Sequence, residues 1–257
     1  MAEIDIYCCD NLDLMSDIPD NTIDLIYCDI LYGTGRKFKD YQDLNPDRKI
    51  IEEHYIQRIK EMHRILKPTG SIYLQMDTRI NHWIRCVLDD IFGYDNFRNE
   101  IIWHYEDTMQ GNSSIKLPKK HDTIYFYSKS KTHRINKVKI PLKKPKKRGN
   151  FNFTEGKLKS VDGFSMYNEK NIDSVWNIGV TSVISSRSKQ FIDFETQKPK
   201  ELIERIIKVS SNEGDLVADF YLGSGTTSEV CKDLNRNFIG CDISERAVEI
   251  SKQRLNK

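Results

Sequence analysis

The most constraining feature of this chain is a strand-like run, a glycine turn and a helix placed close to its C-terminal end. Leu216–Phe220 reads as an apolar strand. It leads through Asp219-Phe220-Tyr221-Leu222-Gly223-Ser224-Gly225-Thr226-Thr227 into a helix over Thr226–Leu234. Glycines let the backbone turn tightly and approach a ligand, and a helix N-terminus offers free N–H groups. A second strand, Asn237–Cys241, ends at Asp242, nineteen residues after Gly223. A carboxylate in that place can take both hydroxyls of a ribose, so the unit indicates a nucleoside-containing cofactor. Ser228 occupies the place of the third glycine, and the dinucleotide fingerprint is incomplete. Only about fifteen residues follow Asp242, so the rest of the sheet has to come from the N-terminal part. That permuted order counts against a dehydrogenase and leaves S-adenosylmethionine, another nucleotide or a structural turn.

The N-terminal part supplies suitable elements. Ile4–Cys8 is a short strand, and Leu25–Asp29 is an apolar run ending in an acid, the pattern of a buried parallel strand. From Asp47 to Leu66, Ile51, Tyr55, Ile59, Met62 and Leu66 recur at spacings of three and four, which predicts an amphipathic helix. Pro68-Thr69-Gly70 is expected to stop it before a strand over Ser71–Met76. Asn81–Phe92 reads as a helix with Gly93 as its cap, and Glu100–Tyr105 and Thr123–Ser128 read as strands. Beyond Ser128, to about Gln190, periodicity is weak. It returns with a helix over Pro199–Ser210, and a last helix starts at Ser244. Strands alternating with helices on both sides of an insertion predict an α/β domain with a mostly parallel twisted sheet. The boundaries expected are 1–130 and 191–257 for the two parts of one domain and 131–190 for the insertion.

Charge is unevenly spread. Between Lys116 and Arg148 stand 13 lysines and arginines and one acid, although the chain as a whole carries a formal charge of only +2. Such a run is either a solvated loop or a phosphate-binding surface. The six cysteines form no C-x-x-C pair and no zinc-spaced cluster, so neither disulfide nor metal is expected. No apolar run approaches the length of a membrane span and the acidic N-terminus lacks a signal-peptide pattern, so a cytoplasmic location is expected.

The second chemical signal is Asp29-Ile30-Leu31-Tyr32-Gly33-Thr34-Gly35-Arg36, directly after a buried strand. In a parallel sheet, ligands bind outside the carboxyl ends of the strands, so Asp29 and the Gly223 loop are expected to open on one edge. Here the chain resembles the β-class DNA amino-methyltransferases of restriction–modification systems and phages. Their D-P-P-Y, N-T-G-R and F-x-x-Y motifs correspond to Asp29–Tyr32, Gly33–Arg36 and Phe38 with Tyr41. The resemblance continues through Glu61–Leu74, Asn96–Trp103 and His121–Lys129. Thr196-Gln197-Lys198-Pro199 matches T-Q-K-P, and Gly223–Thr227 matches F-x-G-S-G-T-T from its first glycine. The catalytic motif preceding the cofactor loop is the family's β order.

What the resemblance implies is a Rossmann-like S-adenosylmethionine-dependent methyltransferase acting on an exocyclic amine of duplex DNA. Aspartate at position 29 points to N6 of adenine, with cytosine N4 as the nearest alternative. The Asp29 carboxylate and the Ile30 carbonyl are the implied amine acceptors, and Tyr32 the residue that stacks on a flipped base. The implied cofactor-binding residues are Asp10, Asp29, Lys198, Asp219, Phe220, Leu222, Gly223, Ser224, Gly225, Thr226 and Asp242. Within them, Asp10 would lie by the adenine and Lys198 by the methionine end. Arg36 and the basic run Lys143, Lys144, Lys146, Lys147 and Arg148 are the candidate DNA contacts, the insertion being where such enzymes carry target recognition. A homodimer and a cognate restriction endonuclease are the candidate protein partners. Ile30-Leu31 replaces the two prolines, a loss expected to loosen the loop by about 1 kcal/mol each. A catalytically weak or inactive DNA-binding relative is therefore the competing reading.

Overall fold

The computed structural model describes residues 2–39, 41–105, 115, 117–154, 157–180, 184–192, 194 and 196–256, with the backbone alone for 142–154 and 157–167. Two compact units result, one built from Met1–Asn136 with Ser174–Lys257 and the other from Lys137–Asp173.

The first unit is an eight-stranded sheet with helices. In chain order its elements are β1 (Ile4–Cys8), α1 (Asn11–Asp17), β2 (Ile23–Asp29), α2 (Arg48–Ile65), β3 (Leu66–Met76), α3 (Asn81–Phe92), β4 (Phe97–His104) and β5 (His121–Ser128). After the second unit, which contains β6 (Lys139–Thr154) and β7 (Lys157–Asn171), come β8 (Val175–Asn177), α4 (Lys200–Ser210), β9 (Leu216–Asp219), α5 (Thr226–Asp233), β10 (Asn237–Asp242) and α6 (Glu245–Leu255). Across the sheet the order is β1-β10-β9-β2-β3-β5-β4-β8. All neighbours are parallel except the β3–β5 and β5–β4 pairs.

The permuted order anticipated from the C-terminal glycine turn is realised at one seam. There β9 pairs with β2, Leu25 lying opposite Val217 and Ile26 opposite Ala218. From that seam the chain runs outward in opposite directions, through α5 to β10 and through α2 to β3. The crevice where a doubly wound sheet binds ligands therefore opens beyond Asp29 and Asp219. The residues Ile23, Leu25, Ile26, Tyr27 and Cys28 are all buried, as a strand covered on both faces requires.

Helix α2 lays Ile51, Tyr55, Ile59, Met62 and Ile65 into the core, at the predicted spacing. It ends at Ile65, and β3 begins at once with Leu66, so Pro68-Thr69-Gly70 lies in the strand and does not separate it from the helix. The register explains this. Between Ile23–Leu66 and Leu25–Ser71 the ladder is interrupted, and the proline sits in that interruption, where no N–H is needed. Gly93 does cap α3, with φ at 84° and its N–H donating to the Asp89 carbonyl at 3.0 Å.

The region expected as the insertion, 131–190, is divided. Asn136 and Val175–Asn177 belong to the larger unit. The Asn136 amide donates to the carbonyls of Lys208 and Ser211, both at 3.0 Å. Strand β8 joins the main sheet with Trp176 buried. Lys137–Asp173 is built as a two-stranded antiparallel ribbon, β6 against β7, with register shifts between Pro141 and Lys146 and between Gly149 and Asn150. The sequence pattern predicts no strands there. Lysine is the commonest residue of the segment, and apolar alternation is confined to two short stretches, Val138-Ile140-Leu142 and Phe151-Phe153, so periodicity is weak. Among the described residues no helix is long and apolar enough to cross a membrane.

Ile59 is completely buried where α2 packs on the sheet. Ile59→Ala is expected to lower the unfolding free energy by about 2–5 kcal/mol through reduced burial and the cavity left behind. Lys49→Ala on the exposed face should change it by less than about 0.5 kcal/mol. Urea midpoints at constant slope measure both.

Candidate active site

The segments that follow β1, β2, β9 and β10 converge with α2 and the stretch before α4 around a cavity of about 420 Å³. Of the residues proposed from sequence, Asp10, Asp29, Ile30, Tyr32, Lys198, Asp219, Phe220, Leu222, Gly223, Ser224, Thr226 and Asp242 all line it. Gly225 sits behind the wall, where an added Cβ would fall 2.5 Å from the Ser251 hydroxyl and 2.9 Å from the Ser251 Cα. Its φ of 74° adds a second reason for glycine. Arg36 is exposed on the loop after Tyr32. Lys143, Lys144, Lys146, Lys147 and Arg148 have their backbone in β6, and their side chains lie outside the described part of the structure.

The glycine loop is held from two sides. On the sheet side, the Asp242 carboxylate accepts the Gly223 N–H at 2.8 Å and the Ser244 N–H at 2.9 Å, tying the loop to the end of β10. Behind the loop, buried Arg254 of α6 donates to the Ser224 carbonyl at 3.1 Å and to the Thr226 hydroxyl at 3.0 Å, while pairing with Glu229. Asp219 faces inward and is almost fully buried. It accepts the Thr227 hydroxyl at 2.6 Å and the Tyr221 N–H at 3.0 Å, yet burial still pushes its carboxyl up to about 7. Asp10 caps α1 through the Leu12 N–H at 2.8 Å and pairs with Arg58 at 3.1 Å.

The Asp29–Tyr32 loop is held by hydrogen bonds at the positions where the D-P-P-Y motif it resembles has proline rings. The Ile30 N–H, which a proline lacks, donates to the Gln75 carbonyl at 3.1 Å and carries the β2–β3 ladder one step further. The Leu31 carbonyl accepts the Tyr55 hydroxyl at 3.1 Å, and the Ile30 side chain is buried. The loosening expected from the missing prolines is thus opposed by two hydrogen bonds and an apolar anchor. Further on, the Asp43 carboxylate accepts the N–H groups of Gly33 (3.1 Å), Thr34 (2.8 Å) and Leu44 (2.8 Å). The Phe38 and Tyr41 rings stack 4.7 Å apart at the tip.

Asp29 projects into the cavity with 18% of its side chain exposed. It is ion-paired with Lys198 and accepts the Tyr32 hydroxyl at 2.8 Å. Burial raises its carboxyl above the ordinary range. Lys198 and Tyr32 oppose that rise, and the nearby Asp122 charge adds to it. The Tyr32 ring lies between two ammonium groups, with Lys119 5.7 Å and Lys198 5.6 Å from its centre. Its hydroxyl also stands 2.9 Å from Asp122, whose carboxylate is salt-bridged to Lys119 at 2.7 Å.

Several contributors are not legible in the sequence: Asn11, Arg58, Gln75, Lys119, Asp122 and Arg254. One of them carries a signal. Gln75 interrupts the apolar run Ile72-Tyr73-Leu74-Gln75-Met76, where an unexplained polar group marks a site.

The cavity suits a cationic nucleoside. Its walls carry the carboxylates of Asp10, Asp29, Asp219 and Asp242 alongside apolar Ile30, Phe220 and Leu222. Asn11 also lines it, and its buried carboxamide oxygen has no partner among the described residues, as an acceptor awaiting a ligand donor would.

A permuted α/β sheet with an acid-ended strand and a glycine loop opening on one crevice is the architecture of a methyltransferase. The family model described as DNA methylase, covering N6 and N4 methyltransferases, matches residues 23–253. The chain belongs to that family, and S-adenosyl-L-methionine is its cofactor. The type II methyltransferase M.HpaI of Haemophilus parainfluenzae is 30% identical over 253 residues, spanning 98% of this chain and 74% of that protein. The type II methyltransferase M.BglII of Bacillus subtilis is 31% identical over 263 residues, spanning 98% and 68%. Among solved structures, the cytosine-N4-specific PvuII DNA methyltransferase superposes with a TM-score of 0.71 at 17% identity, covering 99% of this chain and 86% of that one.

The raised Asp219 carboxyl has a consequence for stability. An unfolded aspartate ionises near 3.9 whereas the folded one holds its proton to about 7. Folding stability therefore falls as pH rises between those values, because the unfolded chain releases a proton that the folded chain keeps. His54, which burial lowers to about 4, contributes the opposite slope up to about 6.5. Asp219→Asn removes only the first effect. The difference between wild-type and variant stability, measured in urea from pH 4 to 8, is expected to drift toward the variant and level off above pH 7.

Proposed function

We propose that this DNA methyltransferase acts on N6 of an adenine swung out of duplex DNA. The observation that carries the reading is the convergence of Asp29, Ile30 and the glycine loop on one cavity. Among the described residues no donor meets the Ile30 carbonyl oxygen. The Asp29 carboxylate and that carbonyl accept the two amine hydrogens and localise a lone pair otherwise delocalised into the ring. Tyr32 stacks on the base, which has to leave the duplex to reach the cavity. S-adenosylmethionine, when bound, supplies the electrophilic methyl group, and neither a metal nor a covalent enzyme intermediate is needed.

The remaining assignments follow the same reading. Asp242 holds the cofactor ribose, and Asp10 and Asn11 line its adenine end. Lys198 serves the methionine end. Arg36 and the basic run of β6 contact DNA phosphates. The major groove admits a two-stranded ribbon, and the β6–β7 pair has that form. The relatives named above are type II methyltransferases. By analogy the chain is the modification component of such a system, working in the cytoplasm as a homodimer beside a cognate endonuclease.

Transfer of labelled methyl groups to mixed-sequence duplex DNA, followed by nucleoside analysis, tests the reading. Wild type is expected to yield N6-methyladenine, and Asp29→Ala to lose on the order of 10²–10⁴ in rate. N4-methylcytosine as the product would overturn the adenine assignment. In a second test, replacing Lys143, Lys144, Lys146, Lys147 and Arg148 with glutamine should weaken binding equally for all DNA sequences. The slope of log affinity against log salt should become shallower by roughly 0.9 for each phosphate that the variant no longer neutralises. An unchanged slope would remove the ribbon from the DNA interface.

A further inference from the structure

Tyr32 has one hydroxyl hydrogen and two carboxylates within reach of it, Asp29 at 2.8 Å and Asp122 at 2.9 Å. A phenol donates one hydrogen bond at a time, so the two acids share a single donor. Their surroundings differ. Asp29 lies at the cavity, half-buried and paired with Lys198. Asp122 is 5% exposed and fixed from several sides. Lys119 meets its Oδ1 at 2.7 Å, the Tyr105 hydroxyl donates to the same oxygen at 3.2 Å, and the Gln75 amide donates to Oδ2 at 3.3 Å. The same Gln75 amide lies 3.2 Å from the Tyr32 oxygen, and Gln75 is itself oriented by the buried Tyr27 hydroxyl, 2.9 Å from Oε1.

In this arrangement Asp29 is covered by two donors, Lys198 and Tyr32. Each donation weakens the oxygen as an acceptor for a third group, yet the proposed chemistry asks Asp29 to accept from the target amine. Both donors already have a second acceptor in place. Lys198 lies 3.1 Å from the Thr196 carbonyl, and Tyr32 lies beside Asp122.

We infer that Asp122 is a positioning residue that takes the Tyr32 hydrogen bond when the target amine reaches Asp29. The hydroxyl hydrogen stays on the tyrosine oxygen throughout and only its acceptor changes. The exchange leaves Asp29 Oδ1 to the amine and fixes the tilt of the Tyr32 ring against the incoming base. Lys119 holds Asp122 in place, and it retains Asp77, 2.6 Å away, as a second partner. The assignment rests on Asp29 being the amine acceptor.

A double-mutant cycle on the single-turnover methyl-transfer rate tests it, using wild type, Asp122→Asn, Tyr32→Phe and the double variant. Asp122→Asn is expected to slow transfer by about 10- to 100-fold, the range of one charge-assisted hydrogen bond. Affinity for DNA and for S-adenosylmethionine should stay within about 2-fold. The double variant is expected to be no slower than Tyr32→Phe, because without the hydroxyl Asp122 has nothing to hold. Multiplicative losses in the double variant, or full activity in Asp122→Asn, would overturn the proposal. If thermal melting shows Asp122→Asn to be misfolded, Asp122→Ser enters the same cycle in its place. Asp29→Ala, run alongside, separates the two ideas. Wild-type rates there would refute the amine-acceptor reading, whereas a dead Asp29→Ala with an additive cycle refutes only the role of Asp122.

Discussion

The pairing of β2 with β9 is the contact on which the rest of this molecule depends. Two residue pairs, Leu25–Val217 and Ile26–Ala218, join halves of the chain that lie some 190 positions apart. Without that seam the Asp29–Tyr32 loop and the glycine loop would end separate sheets. With it, Asp29 and Asp219 finish adjacent strands and one cavity serves both. The seam is secured by buried aliphatic surface, and hydrogen bonds repeat the link on either side. Asp24 accepts the Leu216 N–H at 3.0 Å, and the Phe220 N–H lies 3.4 Å from the Cys28 sulfur.

That convergence gathers carboxylates, and like charges in a crevice repel. The fold answers each one differently. Asp242 is spent on backbone N–H groups, Asp10 is paired with Arg58, Asp29 is met by Lys198, and Asp219 holds its proton until about pH 7. The basic partners that offset these charges come from distant segments. Lys119 and Lys198 come from opposite halves of the sequence and flank one tyrosine ring.

Much of this is readable in the chain before folding, because the readable parts have local causes. Helices α2 and α4 announce themselves by apolar residues at spacings of three and four, and α3 by its glycine cap. The strand–glycine–helix–strand–acid unit depends on residues close in sequence. What is not readable depends on partners far away. The β6–β7 ribbon has only short, interrupted apolar alternation, β8 is three residues whose signal is a single buried tryptophan, and α1 is only seven residues long. Asp122 enters the site because β5 pairs with β3, which sets Ile124 opposite Gln75. Arg254 enters because α6 packs behind the glycine loop. The missing prolines at positions 30 and 31 look like a defect when only the loop is considered. The ladder bond of Ile30 and the Tyr55 hydroxyl become visible only when β3 and α2 are in place.

The strand order also sets a timetable. Among the described residues edge strand β1 pairs only with β10, as when Ile4 meets Phe238. During synthesis the first strand therefore waits for the last, and β2 waits for β9. Contacts of such separation are slow to form, since the loop they close must be ordered first. A nascent chain can settle α2, α3 and the β3–β5–β4 pairings early. The crevice stays open at the seam until the glycine turn has left the ribosome. A partly made chain would thus carry the basic segment proposed above to contact DNA well before it has a pocket for the methyl donor.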